Sequence, residues 1–497
     1  MTTLETHFQQ FRENIVGIDQ TFSTPLGEQK IVYADWTASG RLYRPIERTL
    51  LEEFGPFVGN THSESNVTGT AMTIAYHKAH DIIKRNVNAS SEDALLFVGN
   101  GMTSAINKFQ RILGLKVPEQ LRHRLSLPEK ERPVVFVTHM EHHSNQTSWC
   151  ETIADVHVIK PMADGTIDVE DLKSMLHEFR DRPLKIGAFT ACSNVTGVRS
   201  PYHQLARLMH EHGGISVVDF AASAPYDNTD MHPADPLERL DAITFSPHKF
   251  LGGPGSSGVL IFHSSIYQLN APDQPGGGTV LWTNPWSGYR FNPDIEIRED
   301  GGTPGFLQGI KAALAVELKE EMNSEKMNKR EEELVARAMA GLRAIPGLHL
   351  LADNLQDRQS IFSFYFDHLH YNLVVRLLND RFGVQVRGGC SCAGTYGHYL
   401  LHVDKFTSKR ITDQIDAGDL SAKPGWVRLS LHPTTTNAEL EYILDAVKSI
   451  SELGAKWKSD YRYDPHTNEF IHAAQNGELR NSVDSWFRNA LSGSTIR

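Results

Sequence analysis

At 497 residues the chain exceeds what one simple hydrophobic core organises, so two domains are expected. Apolar residues make up 40% and charged residues 22%, with a net charge of -11, which excludes the basic footprint of a nucleic-acid binder. Four cysteines are too few for a disulfide framework, no run approaches the ~20 apolar residues of a membrane span, and no signal peptide opens the chain, so a cytoplasmic protein is expected.

Residues 1–30 read as an N-terminal arm expected to pack on the smaller domain. From residue 94, short apolar runs alternate with helical periodicity. ALLFVG (94–99) precedes TSAINKFQRILGL, and PVVFVTH (133–139) and DVHVIKP (155–161) precede DVEDLKSMLHEFRD. KIGAFTAC (185–192) precedes PYHQLARLMHEHGG, and ISVVDFA (215–221) is followed by AITFS and GVLIF. Continuous apolar runs of this length fit strands covered on both faces, and their alternation with helices predicts an α/β domain with a mainly parallel sheet over 31–310. A long helical stretch after GGTPGF, one helix or two abutting ones, bridges to a smaller α+β domain within 311–497. That domain has strands at SIFSFYF, VQVRGG and WVRLSLH and helices at YNLVVRLLNDRF and TNAELEYILDAVKSISEL. The polar stretch TSKRITDQIDAGDLSAKPG (407–425) reads as a surface insertion, and the tail after 455 carries no assignable role.

Lys249 lies in ITFSPHKFLGGPGSSGVLIF, where an apolar strand runs into glycines. A lysine that forms an imine must be available as a neutral amine, and partial burial at a strand end provides for that. Ser246 and His248 can bond a phosphate, and the glycines from Gly252 keep side chains out of the way. An ordinary exposed lysine in a turn is the competing reading. The stretch is neither a P-loop nor a nucleophile elbow, since both spacings are absent.

Several motifs in order, from about Tyr33 to about Leu444, resemble the class V aminotransferase family of pyridoxal phosphate enzymes, especially cysteine desulfurases and selenocysteine lyases. The resemblance implies PLP-dependent transferase fold type I, with a seven-stranded sheet in the large domain, and makes Lys249 the residue that carries pyridoxal 5'-phosphate. Asp219, ending ISVVD, would then sit beside the pyridine nitrogen and keep it protonated. Thr103, at the turn GNGMTSAIN entering a helix, would bind the cofactor phosphate with the helix N-terminus. Met102 stands where the family often has a second threonine, which removes one donor. His142 in THMEHHSNQTSW would stack on the ring and could also transfer a proton as a catalytic residue. With His143 it lacks the partners of a tetrahedral metal site, so no metal is expected. Asn194 in TACSNVTGV would reach the ring hydroxyl or the substrate carboxylate, and Arg428 in WVRLSLHP would clamp that carboxylate. Thr303 in DGGTPGF would cap the phosphate of a second subunit, which implies a homodimer.

The stretch VRGGCSCAGTYGH (386–398) resembles the desulfurase motif, with Arg387 and Cys392 in register. In such enzymes the thiolate of the loop cysteine takes the substrate sulfur as a persulfide and alanine leaves, with a sulfur-acceptor protein as a possible partner. Cys390 could resolve a persulfide or be idle, while Cys150 and Cys192 sit in apolar contexts and read as structural. Ala222 occupies a position where relatives commonly carry a glutamine that bonds the cofactor ring hydroxyl, so that bond is lost or comes from another group such as Ser223. The expected activity is conversion of L-cysteine to L-alanine. A selenocysteine lyase, β-lyase, epimerase or aminotransferase acting on a small amino acid, and a catalytically silent scaffold, remain open alternatives.

Overall fold

The computed structural model describes residues 3–61, 65–475 and 477–490. The apolar runs assemble into one seven-stranded sheet in the spatial order Asp93–Val98, Gly258–His263, Ala242–Phe245, Ile215–Asp219, Lys185–Thr190, Val134–Thr138 and Asp155–Ile159. Only Gly258–His263 runs antiparallel to its neighbours, and every other adjacent pair is parallel. Both faces are covered. Leu95, Val218, Ile243 and Val259 pack with Ile83 of helix Val67–Asn86 and Val316 of helix Phe306–Met322. Leu96, Val217, Leu260 and Phe262 pack on the other face with Phe109 of helix Met102–Ile112 and Trp149 of helix His143–Cys150. Each large apolar side chain buried in this way contributes about 1.5–3 kcal/mol, which is why these strands carry no polar alternation.

A second core lies between a four-stranded antiparallel sheet and the helices Ser324–Arg343, Tyr371–Phe382 and Asn437–Trp457. The sheet order is Leu348–Leu350, Ile361–Phe366, Trp426–Ser430, Arg387–Gly389. The bridge is two abutting helices, parted at Asn323, whose φ of 69° breaks the ladder and whose side chain accepts from the Lys326 N–H at 3.0 Å.

Three segments depart from the sequence reading. VQVRGG is not one strand: Val384–Gln385 pairs in parallel with Val32–Tyr33, and only Arg387–Gly389 joins the sheet. The polar stretch at 407–425 is largely the helix Lys405–Asp416, capped by Asp404 accepting from the Thr407 N–H at 2.7 Å, with no buried residue to announce it. The tail closes a hairpin, Tyr461–Asp464 with Glu469–His472, whose Tyr461 and Phe470 are buried in the second core. Its final residues, 491–497, lie outside the described ones. The N-terminal helix Thr3–Arg12 reaches a helix of the second core and also forms an apolar cluster of its own. Arg12 pairs with Glu439 at 2.8 Å, while Phe8 and Phe11 cluster with Tyr226, Leu251 and Met322.

Candidate active site

Parallel strands bring their carboxyl ends to one edge of a sheet, and ligands collect there. At that edge Thr190 lies opposite Asp219 in the strand register, and Phe245 hands the chain to Ser246 and Lys249. These segments enclose a cavity of about 290 Å³ lined by Lys249, Asp219, His142, Asn194, Thr103, Ser246 and His248 among others. Seven of the positions singled out in the sequence therefore meet in one place.

Lys249 ends a single 3-10 turn, Pro247–Lys249. The glycines behind it serve the backbone first: a Cβ on Gly253 would lie 1.8 Å from the Pro247 carbonyl oxygen. Part of the Lys249 side chain opens to the cavity, yet loss of water around it pulls the amine down to about 8, against the opposing charge of Asp219. Burial acts on Asp219 in the other direction, pushing its carboxyl up to about 6. The Ala221 N–H at 2.8 Å and the nearby Lys249 charge compensate only in part. Lys249 acts on this carboxylate only at a distance, so a cation bonded directly to it would stabilise its charged form.

The opposite end of the cavity suits an anion. Helix Met102–Ile112 begins there, and its Met102 N–H donates to Ser246 Oγ at 2.9 Å. His248 Nδ1 lies 2.9 Å from the Asn100 carbonyl oxygen. A Cβ on Gly101 would come to about 3.0 Å from both Ser246 Oγ and the His248 ring, so the turn is tightly packed there. Met102 brings no hydroxyl, but a second one stands beside Thr103: Ser144 Oγ sits 2.6 Å from Thr103 Oγ1 and lines the same cavity. Sequence reasoning missed Ser144, whose contribution comes from a different helix 41 residues away.

His142 caps the helix His143–Cys150, its Nδ1 accepting from the Ser144 N–H at 3.1 Å. Burial, with Lys249 beside it, holds the imidazole down to about 4, so the ring is neutral at pH 7 and presents a flat face. The turn that carries it is held by Glu141, also missed, which is fully buried. Glu141 accepts from Thr138 Oγ at 2.6 Å, the Thr190 N–H at 2.8 Å and Asn145 Nδ2 at 2.8 Å. Burial pushes its carboxyl up to about 8.

The rim of the site stands beside the cavity: Arg387, Arg428 and Cys392 do not line it and are joined to it through Asn194, which does. Asn194 donates its amide to the Ser391 carbonyl oxygen at 2.7 Å, and its Oδ1 is buried without a partner. Arg428 lies on an interior strand of the smaller sheet, almost fully buried, and donates to the Asn194 carbonyl oxygen at 3.2 Å. Its Nη2 also binds Asp35 Oδ1 at 2.9 Å, while Arg387 Nε reaches Asp35 Oδ2 at 3.1 Å. Burial lowers the Arg428 pKa from its ordinary value. Cys392 is exposed, on a turn where Ser391 (φ 52°) and Cys392 (φ 55°) are both left-handed. Two bonds from His143 secure that turn: its N–H to the Cys392 carbonyl oxygen at 2.7 Å, and its Nε2 from the Gly394 N–H at 2.9 Å.

Other positions lie elsewhere. Cys390 is partly buried against an apolar cluster. Thr303 is exposed, bonds Asn60 Oδ1 at 3.3 Å and does not line the cavity. Ser223 faces a separate, larger cleft of about 850 Å³, whereas Ala221 and Ala222 line the cavity, so Ser223 does not stand in for the missing glutamine. Cys192 is buried as expected, but Cys150 is exposed, since its helix turns that position toward solvent.

The family model described as aminotransferase class-V matches residues 32–443. A probable cysteine desulfurase of Halalkalibacterium halodurans is 29% identical over 371 residues, covering 73% of this chain and 84% of the relative. A probable cysteine desulfurase of Staphylococcus aureus is 27% identical over 369 residues, covering 73% and 84%. Among solved structures, the apo cysteine desulfurase of Thermococcus onnurineus superposes with a TM-score of 0.72 at 22% identity, covering 89% of this chain and 98% of that one. A cysteine desulfurase of Escherichia coli gives 0.69 at 22% identity, covering 90% and 98%. The chain belongs to the class-V aminotransferase family.

Proposed function

We propose that this class-V aminotransferase family member is a cysteine desulfurase that holds pyridoxal 5'-phosphate and takes the sulfur of L-cysteine onto Cys392, releasing L-alanine. The donor set fits that cofactor. Thr103, Ser144, Ser246, His248 and the start of helix Met102–Ile112 suit its phosphate. Asp219, a buried carboxylate with a single N–H donor, suits its ring nitrogen, and the unpartnered Asn194 Oδ1 suits a ring-hydroxyl proton. Neutral His142 suits its face, and Lys249 its aldehyde carbon. When bound, the cofactor supplies an electron sink for the pair released at the substrate α-carbon.

The chain's own residues account for the rest. With its pKa at about 8, Lys249 is neutral in a useful fraction near neutral pH and can take and return the proton at that carbon. Arg428 and Arg387 orient the substrate carboxylate. The Cys392 thiolate attacks the substrate sulfur, so an S–S bond forms as the carbon–sulfur bond breaks and the carbon takes a proton. L-Cysteine plus enzyme thiol gives L-alanine plus enzyme persulfide, with no external oxidant.

The observation that carries this reading is the exposed thiol of Cys392, one residue from the Ser391 carbonyl that Asn194 holds at the cavity. Exposure also suits transfer of the sulfur to an acceptor thiol on another protein. We also assign Thr303 to the phosphate site of a second copy, in a homodimer, and divide the chain at about residues 30 and 310. The test is holoenzyme with L-cysteine and a reductant, expected to release sulfide and alanine in equal amounts, both lost in Cys392→Ala. Alanine formed undiminished by that variant sinks the persulfide role, and pyruvate in place of alanine marks a β-lyase.

A further inference from the structure

Arg387 and Arg428 are direct cross-strand partners in the antiparallel register of the smaller sheet. Like charges in that relation repel, and strand pairing there requires a counter-charge. Asp35 provides it from outside the sheet. It lies just after strand Val32–Tyr33, joined to the sheet through a parallel bridge to Ser430 and the Ser430 N–H to Ala34 carbonyl bond of 2.8 Å. Its two oxygens are divided, one to each guanidinium, at 2.9 and 3.1 Å. The carboxylate is largely buried, and Arg428 more so, so their charges are poorly screened. Arg428 also donates to the carbonyl oxygen of Asn194 at 3.2 Å, and Asn194 lines the cavity, which puts the trio beside the site.

Two arginines facing a substrate would accept two carboxylates. With Asp35 between them, the group carries one net positive charge, which matches one carboxylate. We propose that Asp35 is the residue that sets substrate charge at this site: it admits α-amino acids with a single carboxylate and disfavours those with a second acid on the side chain. Resting on the function proposed above, the idea names the substrate class more narrowly. The α-carboxylate engages Arg428, at the buried end. A side-chain carboxylate at the β-position would lie toward Arg387 and the Cys392 loop that follows it, where the Asp35 charge opposes it.

L-Asparagine and L-aspartate test this, being nearly identical in shape and different in charge. Binding of each to holoenzyme is measured by calorimetry, a readout that needs no sulfur chemistry and so stands even if desulfuration itself fails. Wild type is expected to favour asparagine over aspartate by about tenfold, given a partly screened unit charge. Asp35→Asn is expected to erase or reverse that preference, and Asp35→Glu to preserve it. Equal affinity of the wild type for the two ligands overturns the proposal without any variant. So does Asp35→Asn weakening both ligands alike with an unchanged melting temperature, which would reduce Asp35 to a positioning residue for the arginines. Should Asp35→Asn not fold, the wild-type ratio and its persistence in Asp35→Glu decide the matter.

Discussion

The floor and the rim of the cavity are built on opposite terms. The floor, Lys249 and Asp219 with Glu141 and His142, sits at the ends of strands buried on both faces, and loss of water moves all four titrations. The rim, from Arg387 to Gly394, is a short edge strand and an exposed turn held by a few bonds to Asn194, His143 and Trp426. A floor of this kind prepares a cofactor for electron withdrawal whatever the substrate. On the proposed reading, the choice of reaction belongs to the rim, where the Cys392 thiol is exposed. Relatives that share the floor and differ at the rim should share the cofactor and differ in product.

The comparison is broken most severely at the floor. Lys249→Ala is expected to lower alanine formation at least about 10³-fold, since it removes the amine that would hold the cofactor and move the proton, as initial rates will show. The buried Asp219 gives a pH signature in the cofactor-free protein. Its folded pKa is raised to about 6 from 3.8, so the native state binds the extra proton between those values and the wild type loses stability as pH rises through that window. Asp219→Asn removes this loss. Urea unfolding at pH 4.5 and pH 7 should therefore differ between the two proteins by on the order of 2 kcal/mol in that direction. Parallel curves would mean that water reaches this carboxylate after all.

At the rim, His143→Ala removes the Nε2 contact to the Gly394 N–H and should slow sulfide release about tenfold while cofactor content, read by absorbance, stays level. Loss of cofactor in that variant would erase the division between floor and rim. The smallest effect belongs to the anion end. Ser144→Ala should weaken cofactor retention about fivefold in dialysis against phosphate, with turnover of the loaded enzyme nearly unchanged.

Much of the floor was legible in the sequence because it is made of contiguous motifs at strand ends. Continuous apolar runs betrayed the strands, and Asp219, Lys249 and Thr103 each follow one closely. What escaped did so for physical reasons. Asp35 looks like a loop aspartate until the chain places it between two arginines more than 350 residues away. Glu141 and Ser144 sat unremarked beside the chosen His142, since burial and a partner on another helix are invisible in one dimension. The helix Lys405–Asp416 buries no residue, and its only short apolar pair, Ile411 and Ile415, is too little to reveal its period.

By itself, then, the order of residues determined the layered α/β class, the strands and their covering helices, and the lysine and aspartate at two strand ends, because periodicity and strand termini are local properties. Only the tertiary structure decided which charges are paired, which hydroxyls converge on the anion end, and that Ser223 and Ala222 face different cavities. Those outcomes depend on burial and on contacts between distant segments, and neither exists until the chain is folded.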